Sequence, residues 1–315
     1  MSDLQPTALE PQPRRSAVDD LPLADLHRHI DGSLRPKTVA DIAAQLGLQV
    51  PTPLAFSPGM GLDAALACFS FTVSLLQTES ALAQVASEAC EDARAEGITT
   101  LELRFAPQLH GMELARAIDA VLDGVAGRAG VILCGLFGDP PALLEALVDL
   151  ARARPGVVGL DLAGGPTPHH IYGMKDYAPA FSAAAKAGLG RTVHAGEGRP
   201  PAEIRVAIEA LHAQRIGHGT TLLDDPSIVA LVLERGVVIE ACPTSNWHTG
   251  VIAKVGEHPL VRWLERGIRC TVNTDNTLLS QVTLPEELTR VAMIPGFTPV
   301  HLRSLLDTAH AAAFR

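Results

Sequence analysis

Two histidines at a spacing of two, His27 and His29 in HRHIDG, are the first residues able to do chemistry together. Side chains on an extended strand alternate with period two, so both imidazoles point to one face. Further along, VHAGEG carries His194 and Glu197, RIGHGT carries His218, and VNTDNT carries Asp275 and Asn276. Each group ends an apolar, β-branched run and is flanked by glycine or small residues. Any one of these histidines is as readily a hydrogen-bonded core residue. Taken together, three imidazoles and a carboxylate make a nitrogen and oxygen donor set suited to Zn2+, with room left for a water.

Such residues need elements that bring their ends to one place. The runs that read as strands are 23–27, 99–105, 131–137, 157–163, 191–195, 215–218, 237–242 and 269–274. All are apolar along most of their length, as expected of strands covered on both faces. Between them, stretches such as 142–153, 179–187 and 202–213 repeat apolar residues at three and four positions, the helical period. Strands alternating with helices predict a parallel sheet. Eight strands predict closure into an α/β (β/α)8 TIM barrel, with a doubly wound open sheet as the alternative. The interval 35–97 holds more helix than one crossover needs, so 62–76 and 81–97 are expected as extra helices inserted after the first strand, placed to cap the mouth. In a closed barrel the C-terminal ends of the strands carry the site. His27, His29, His194, His218 and Asp275 all fall there.

The chain has 315 residues, 47% of them apolar, and a net charge of −10. That balance argues against a broad nucleic-acid footprint, which needs a basic face. The five cysteines are scattered without a CxxC pair, and read as small buried hydrophobes in a reducing compartment. No run approaches 18 uninterrupted apolar residues, so no membrane span is expected. Residues 1–20, with three prolines and mixed charge, read as a flexible tail without the apolar core of a signal peptide. Residues 21–315 read as one barrel domain, and the protein as cytoplasmic.

The blocks HRHIDGSLRP, DLAGG, RTVHAGEG, RIGHG, EACPTSN and NTDN, in that order, resemble the signature blocks of the adenosine deaminase family. The resemblance runs from about residue 22 to the segment ending HAAAFR. It implies that His27, His29, His194 and Asp275 bind one Zn2+ per chain, whose bound water is acidified toward about pH 7 and attacks C6 of a purine. His218 would orient that water and act as base. Glu197, its pKa raised by desolvation, would give a proton to N1. Gly164 would offer its backbone amide to N3, and Asp31 would accept hydrogen bonds from the ribose end. The implied partner is a small-molecule purine nucleoside, with no nucleic acid or membrane involved. The implied reaction is hydrolytic deamination of adenosine or 2′-deoxyadenosine to inosine or its deoxy form plus ammonia.

Against these roles stand plainer ones. Glu197 also suits a helix start, Asp31 a turn before Gly32, and Arg104, Ser245 and Asn246 support of the barrel mouth. The sequence departs from the family pattern where a second aspartate becomes Asn276, which would face N7. An amide NH2 can donate to that acceptor without needing a proton of its own. It departs again where DLAGG runs on into Pro166 and the His169–His170 pair, expected to be solvent-exposed. Related substrates stay open: adenine, N6-substituted adenines, and 6-aminodeoxyfutalosine with its enlarged 5′ group, which Arg28 would bind if it faced the mouth. Strand alternation points Arg28 the other way, and Asp31 favours a nucleoside, since adenine-specific relatives tend to carry glutamate there. A two-metal hydrolase is the competing enzyme class; such sites are commonly bridged by a carboxylated lysine, and this sequence has no lysine at any strand end, Lys175 falling in a helix start. A non-catalytic relative would have lost metal or proton-transfer residues first.

Overall fold

The computed structural model describes residues 21–314; the tail expected over residues 1–20 lies outside them. Eight parallel strands stand in sequence order, β1 to β8. They span Leu23–His29, Ile98–Phe105, Gly130–Leu136, Val157–Ala163, Gly190–Ala195, Arg215–His218, Val238–Ala241 and Cys270–Val272. The last strand meets the first through Asp275, whose N–H donates to the His27 carbonyl and whose carbonyl accepts from His29 N–H, both at 2.8 Å. This is the (β/α)8 barrel expected, and the open sheet is excluded.

Strand lengths differ from expectation where polar residues take over backbone pairing. β8 stops at Val272 because the next position spends its side chain on the neighbouring strand: Asn273 Oδ1 accepts from Leu26 N–H at 3.0 Å. Asp275 then turns the chain with a φ of 60°, a region few non-glycine residues occupy. β7 ends at Ala241 because Cys242 opens the short helix Pro243–His248, which carries proline in its first turn. The helix expected over 202–213 ends earlier, at Glu209, and the following turn places His212 at a φ of 53°.

Three helices fill the interval between β1 and β2: Pro36–Leu46, Leu62–Leu75 and Glu79–Ala95. The third begins at Thr78, whose hydroxyl accepts from Ala81 N–H at 3.2 Å, an N-cap that satisfies a free helical donor. It packs on β2 and on the helix Leu114–Val125, as a crossover helix must. The other two are the insertion: of the two helices expected as inserted, 62–76 is one, 81–97 supplies the crossover instead, and Pro36–Leu46 is an inserted helix the sequence reading did not place.

Period-two alternation sorts the barrel into two layers. Outward positions such as Leu103, Leu133, Leu160, Val193, Ile216 and Ile239 join one apolar cluster with the helices. Glu102, Arg104, Asp161, Thr192, Arg215 and Glu240 alternate with them along the same strands and are all buried. Burying charge costs several kcal/mol per ion unless it is paired. Here each carboxylate meets an arginine: Arg104 Nη1 lies 2.9 Å from Asp161 and Nη2 3.0 Å from Glu240, while Arg215 bridges Glu102 and Glu240. This ionic layer is the floor on which the site rests.

Candidate active site

Above that floor the strand ends open into a cavity of about 380 Å3, within the range of small-molecule sites. His29, Asp31, Gly164, His194, Glu197, His218, Asp275 and Asn276 all line it. His27 lies directly beneath, fully buried, its ring centroid 4.7 Å from that of His194 and 5.1 Å from that of His218. All nine site residues expected from the sequence are therefore in one place. The inserted helix Leu62–Leu75 covers the cavity with Leu66, Phe69, Ser70 and Val73, and Phe56 joins them from the preceding loop.

The donor atoms converge. His29 Nε2 stands 3.3 Å from His194 Nε2, and Asp275 Oδ1 lies 3.6 Å from His27 Nε2 and 3.5 Å from His29 Nε2. Ligands about 2.0–2.1 Å from a zinc ion sit roughly 3–3.5 Å from one another. His27 Nε2 is buried with no hydrogen-bond partner, which a protein seldom tolerates without a reason. The other nitrogens of two rings are held from below. Glu240 Oε2 lies 2.7 Å from His27 Nδ1, and Asp161 lies 3.1 Å from His194 Nδ1. An Nδ1–H donated to a carboxylate fixes the tautomer that leaves the Nε2 lone pair free. Burial, with Arg104 beside it, pushes the His27 pKa well down, and burial does the same to His29. Neutral imidazole is the form that ligates. His194 is pressed down by burial but raised on balance by Asp161, consistent with its Nδ1 acting as donor. Cys242 also lies within reach of His27 and Asp275; burial pushes its thiol far up, and its S–H donates to the Glu240 carbonyl at 3.8 Å.

Two further groups face the same space. His218, held at a φ of 68°, has its pKa lowered to about 3 by burial and is a neutral ring near neutral pH. Glu197 is raised, again chiefly by burial, which favours the protonated acid. The Asn246 amide joins them, 3.0 Å from His218 Nδ1 and 3.5 Å from Glu197 Oε1. On the other wall, Asp31 is buried with Oδ1 unpartnered, and burial beside Asp275 raises it to about 7.

Arg28 points away from the cavity, as alternation predicts, and pairs with Asp25 at 3.0 Å and Glu96 at 3.2 Å. His169 is exposed, and His170 Nδ1 accepts from Thr167 N–H, so that pair joins no donor cluster among the described residues. Lys175 sits in a short 3-10 turn, Met174–Tyr177, just before the helix Ala178–Lys186 and away from every strand end. Sequence reasoning gave no role to Asp161 and Glu240 and treated Asn246 as support. Their signal was present: a charged residue inside an otherwise apolar buried strand, as in VVGLDLA and VVIEAC, needs a partner and so marks a functional layer.

Comparisons with known proteins agree with this geometry. A family model described as adenosine deaminase matches residues 22–315. A protein named adenosine deaminase from Enterococcus faecalis is 34% identical over 319 residues, covering 95% of this chain and 94% of that protein. Among solved structures, an Arabidopsis ADAL bound to IMP superposes with a TM-score of 0.83 at 22% identity, over 94% of this chain and 92% of that one. An amidohydrolase from Burkholderia ambifaria with bound zinc superposes with a TM-score of 0.84 at 24% identity, over 98% and 90%.

Proposed function

Because the chain belongs to the adenosine deaminase family, we propose that it hydrolyses the C6 amine of adenosine or 2′-deoxyadenosine, giving the 6-oxopurine nucleoside and ammonia. The observation that carries this reading is the cluster of His27, His29 and His194, with Asp275 within 3.6 Å of the first two, beside Glu197 and His218. We assign His27, His29, His194 and Asp275 as the ligands of one Zn2+ per chain. When bound, such an ion supplies Lewis acidity that makes a water-derived nucleophile available at neutral pH.

The remaining steps belong to side chains. His218, neutral through burial, takes the proton from the attacking water; the Asn246 amide fixes the ring when turned so that its oxygen, otherwise without a partner, accepts from Nδ1–H and leaves Nε2 free. Glu197, whose pKa burial raises, gives its proton to N1 and so breaks the ring's aromaticity as C6 becomes tetrahedral; the proton taken by His218 then passes to the amine, which leaves as ammonia, and the C6 hydroxyl's proton returns to Glu197. Asn276 donates an amide hydrogen to N7, the Gly164 N–H meets N3, and Asp31 binds the ribose end. The helix Leu62–Leu75 excludes water from above.

The cavity's charge favours a nucleoside over a nucleotide. Among the described residues lining it, none is lysine or arginine, while Asp31, Glu197 and Asp275 are acidic. Arg199, on the loop after β5, reaches the Gly164 carbonyl at 3.5 Å and is held by Glu203 at 2.9 Å. A phosphate, or the carboxylate of an enlarged 5′ substituent, would be buried without a counter-charge. A substrate panel tests this: adenosine, 2′-deoxyadenosine, AMP, adenine, N6-methyladenine and 6-aminodeoxyfutalosine. The two nucleosides are expected to turn over with kcat/KM at least about a hundredfold above AMP. Preference for AMP, or for the enlarged 5′ compound, would move the substrate and leave the mechanism.

Five unpaired cysteines, four of them buried, support a reducing, cytoplasmic setting. Among the described residues no single helix is long and apolar enough to cross a membrane. We read the described chain as one domain, because a single ionic layer ties strands from both halves of the barrel.

A further inference from the structure

At the end of the barrel opposite the cavity, Phe314 is seated between strands. Its ring lies under the Arg215 guanidinium, 3.7 Å from Cζ to the ring centroid, and its backbone N–H donates to Glu102 Oε1 at 2.5 Å. Two strands give up their side chains to make this seat. A Cβ at Gly190 would stand 2.0 Å from the ring, and one at Gly159 would stand 2.9 Å from it. Arg215 is almost fully buried, and its Nη1 also donates to the Ala312 carbonyl at 3.0 Å.

From this seat a continuous line of contacts runs to the donor cluster. Arg215 Nε lies 2.7 Å from Glu240 Oε1, and Glu240 Oε2 lies 2.7 Å from His27 Nδ1. A guanidinium stacked on an aromatic face is attracted by the ring quadrupole and shielded from water on that side. Arg215 thus keeps its charge on Glu240 and cannot swing toward solvent at the barrel base. Glu240 in turn sets the tautomer and aim of His27. We propose that Phe314 is a positioning residue that holds His27 in its metal-binding geometry through Arg215 and Glu240, from the far end of the barrel. The proposal rests on the assignment of His27 as a zinc ligand.

The test measures zinc release to a chromophoric chelator, and separately the unfolding midpoint of the zinc-free protein. Phe314→Ala is expected to speed zinc release about tenfold, the low end of what disturbing a ligand's supporting hydrogen bonds costs. Phe314→Leu keeps apolar volume without a ring face, and is expected to match it. Phe314→Tyr, which keeps the ring, should stay within about twofold of wild type. Gly190→Ala, which evicts the ring, should reproduce Phe314→Ala, with the double variant no worse than either single one. Variants that lower the zinc-free midpoint while releasing zinc at the wild-type rate would overturn the proposal, leaving Phe314 as packing alone. Wild-type protein that takes up no zinc would instead overturn the ligand assignment itself, and is seen before any variant is made.

Discussion

The amide of Asn276 lies directly against the Cα of Gly32: a Cβ built there would stand 1.9 Å from Asn276 Oδ1. The residue that replaces the family's second aspartate is thus seated in a space only glycine leaves. Gly32→Ala is expected to displace the amide and lower kcat/KM for adenosine ten- to hundredfold, as misplacement of a binding group by about 1 Å does. Asn276→Asp puts a third carboxyl near Asp31 and Asp275, and must carry a proton to donate to N7. Its activity is expected to fall as pH rises through an ionisation that wild type lacks, in addition to the loss of the Glu197 proton that both share. Steady-state kinetics across pH check both, and a hundredfold gain for Asn276→Asp on every purine would contradict the assigned role.

Asn246 touches both proton-handling groups. Removing a buried partner typically costs about 1–3 kcal/mol, so Asn246→Ala is expected to lower kcat about ten- to hundredfold with little change in KM. A rise in KM at constant kcat would show that the amide serves binding instead.

The helix that carries Asn246 depends on a buried acid. Glu287 accepts from the Thr244 N–H at 2.8 Å and from its hydroxyl, and burial raises its pKa to about 7. With the folded pKa above the unfolded value, the folded state holds the proton longer, and stability falls as pH rises. The protein is therefore expected to lose on the order of 1–3 kcal/mol from this group between about pH 4.5 and 7. Denaturant melts across that window should show a flatter profile for Glu287→Gln; an unchanged slope would assign the loss to other groups.

Removing the metal exposes the cluster's own cost. Chelator-treated protein is expected to be inactive and less stable, since bound metal stabilises the folded state by mass action. One equivalent of Zn2+ per chain should restore both. A requirement for two would favour the two-metal class of hydrolase.

The fold was largely legible because strand and helix periods differ and because four of the eight apolar runs end in chemistry-bearing residues. His27 and His29 could be placed on one face, and Arg28 on the other, from alternation alone. Less legible was the layer below. Glu240, Arg104, Asp161 and Arg215 meet across 25 to 136 positions of sequence, and no local period records such pairings. Strand ends were also blurred, because Asn273 replaces a backbone bond with a side-chain one. The seat of Phe314 depends on two glycines in different strands, which no single window reveals.

Ammonia release from adenosine by the zinc-loaded protein, beside its Glu197→Gln variant, tests the central claim most directly. Sustained release by wild type, with kcat lowered about 10²–10⁴-fold in the variant, is the expected result. Zinc-loaded wild type that leaves adenosine intact, or a variant that deaminates it at the wild-type rate, would contradict the account.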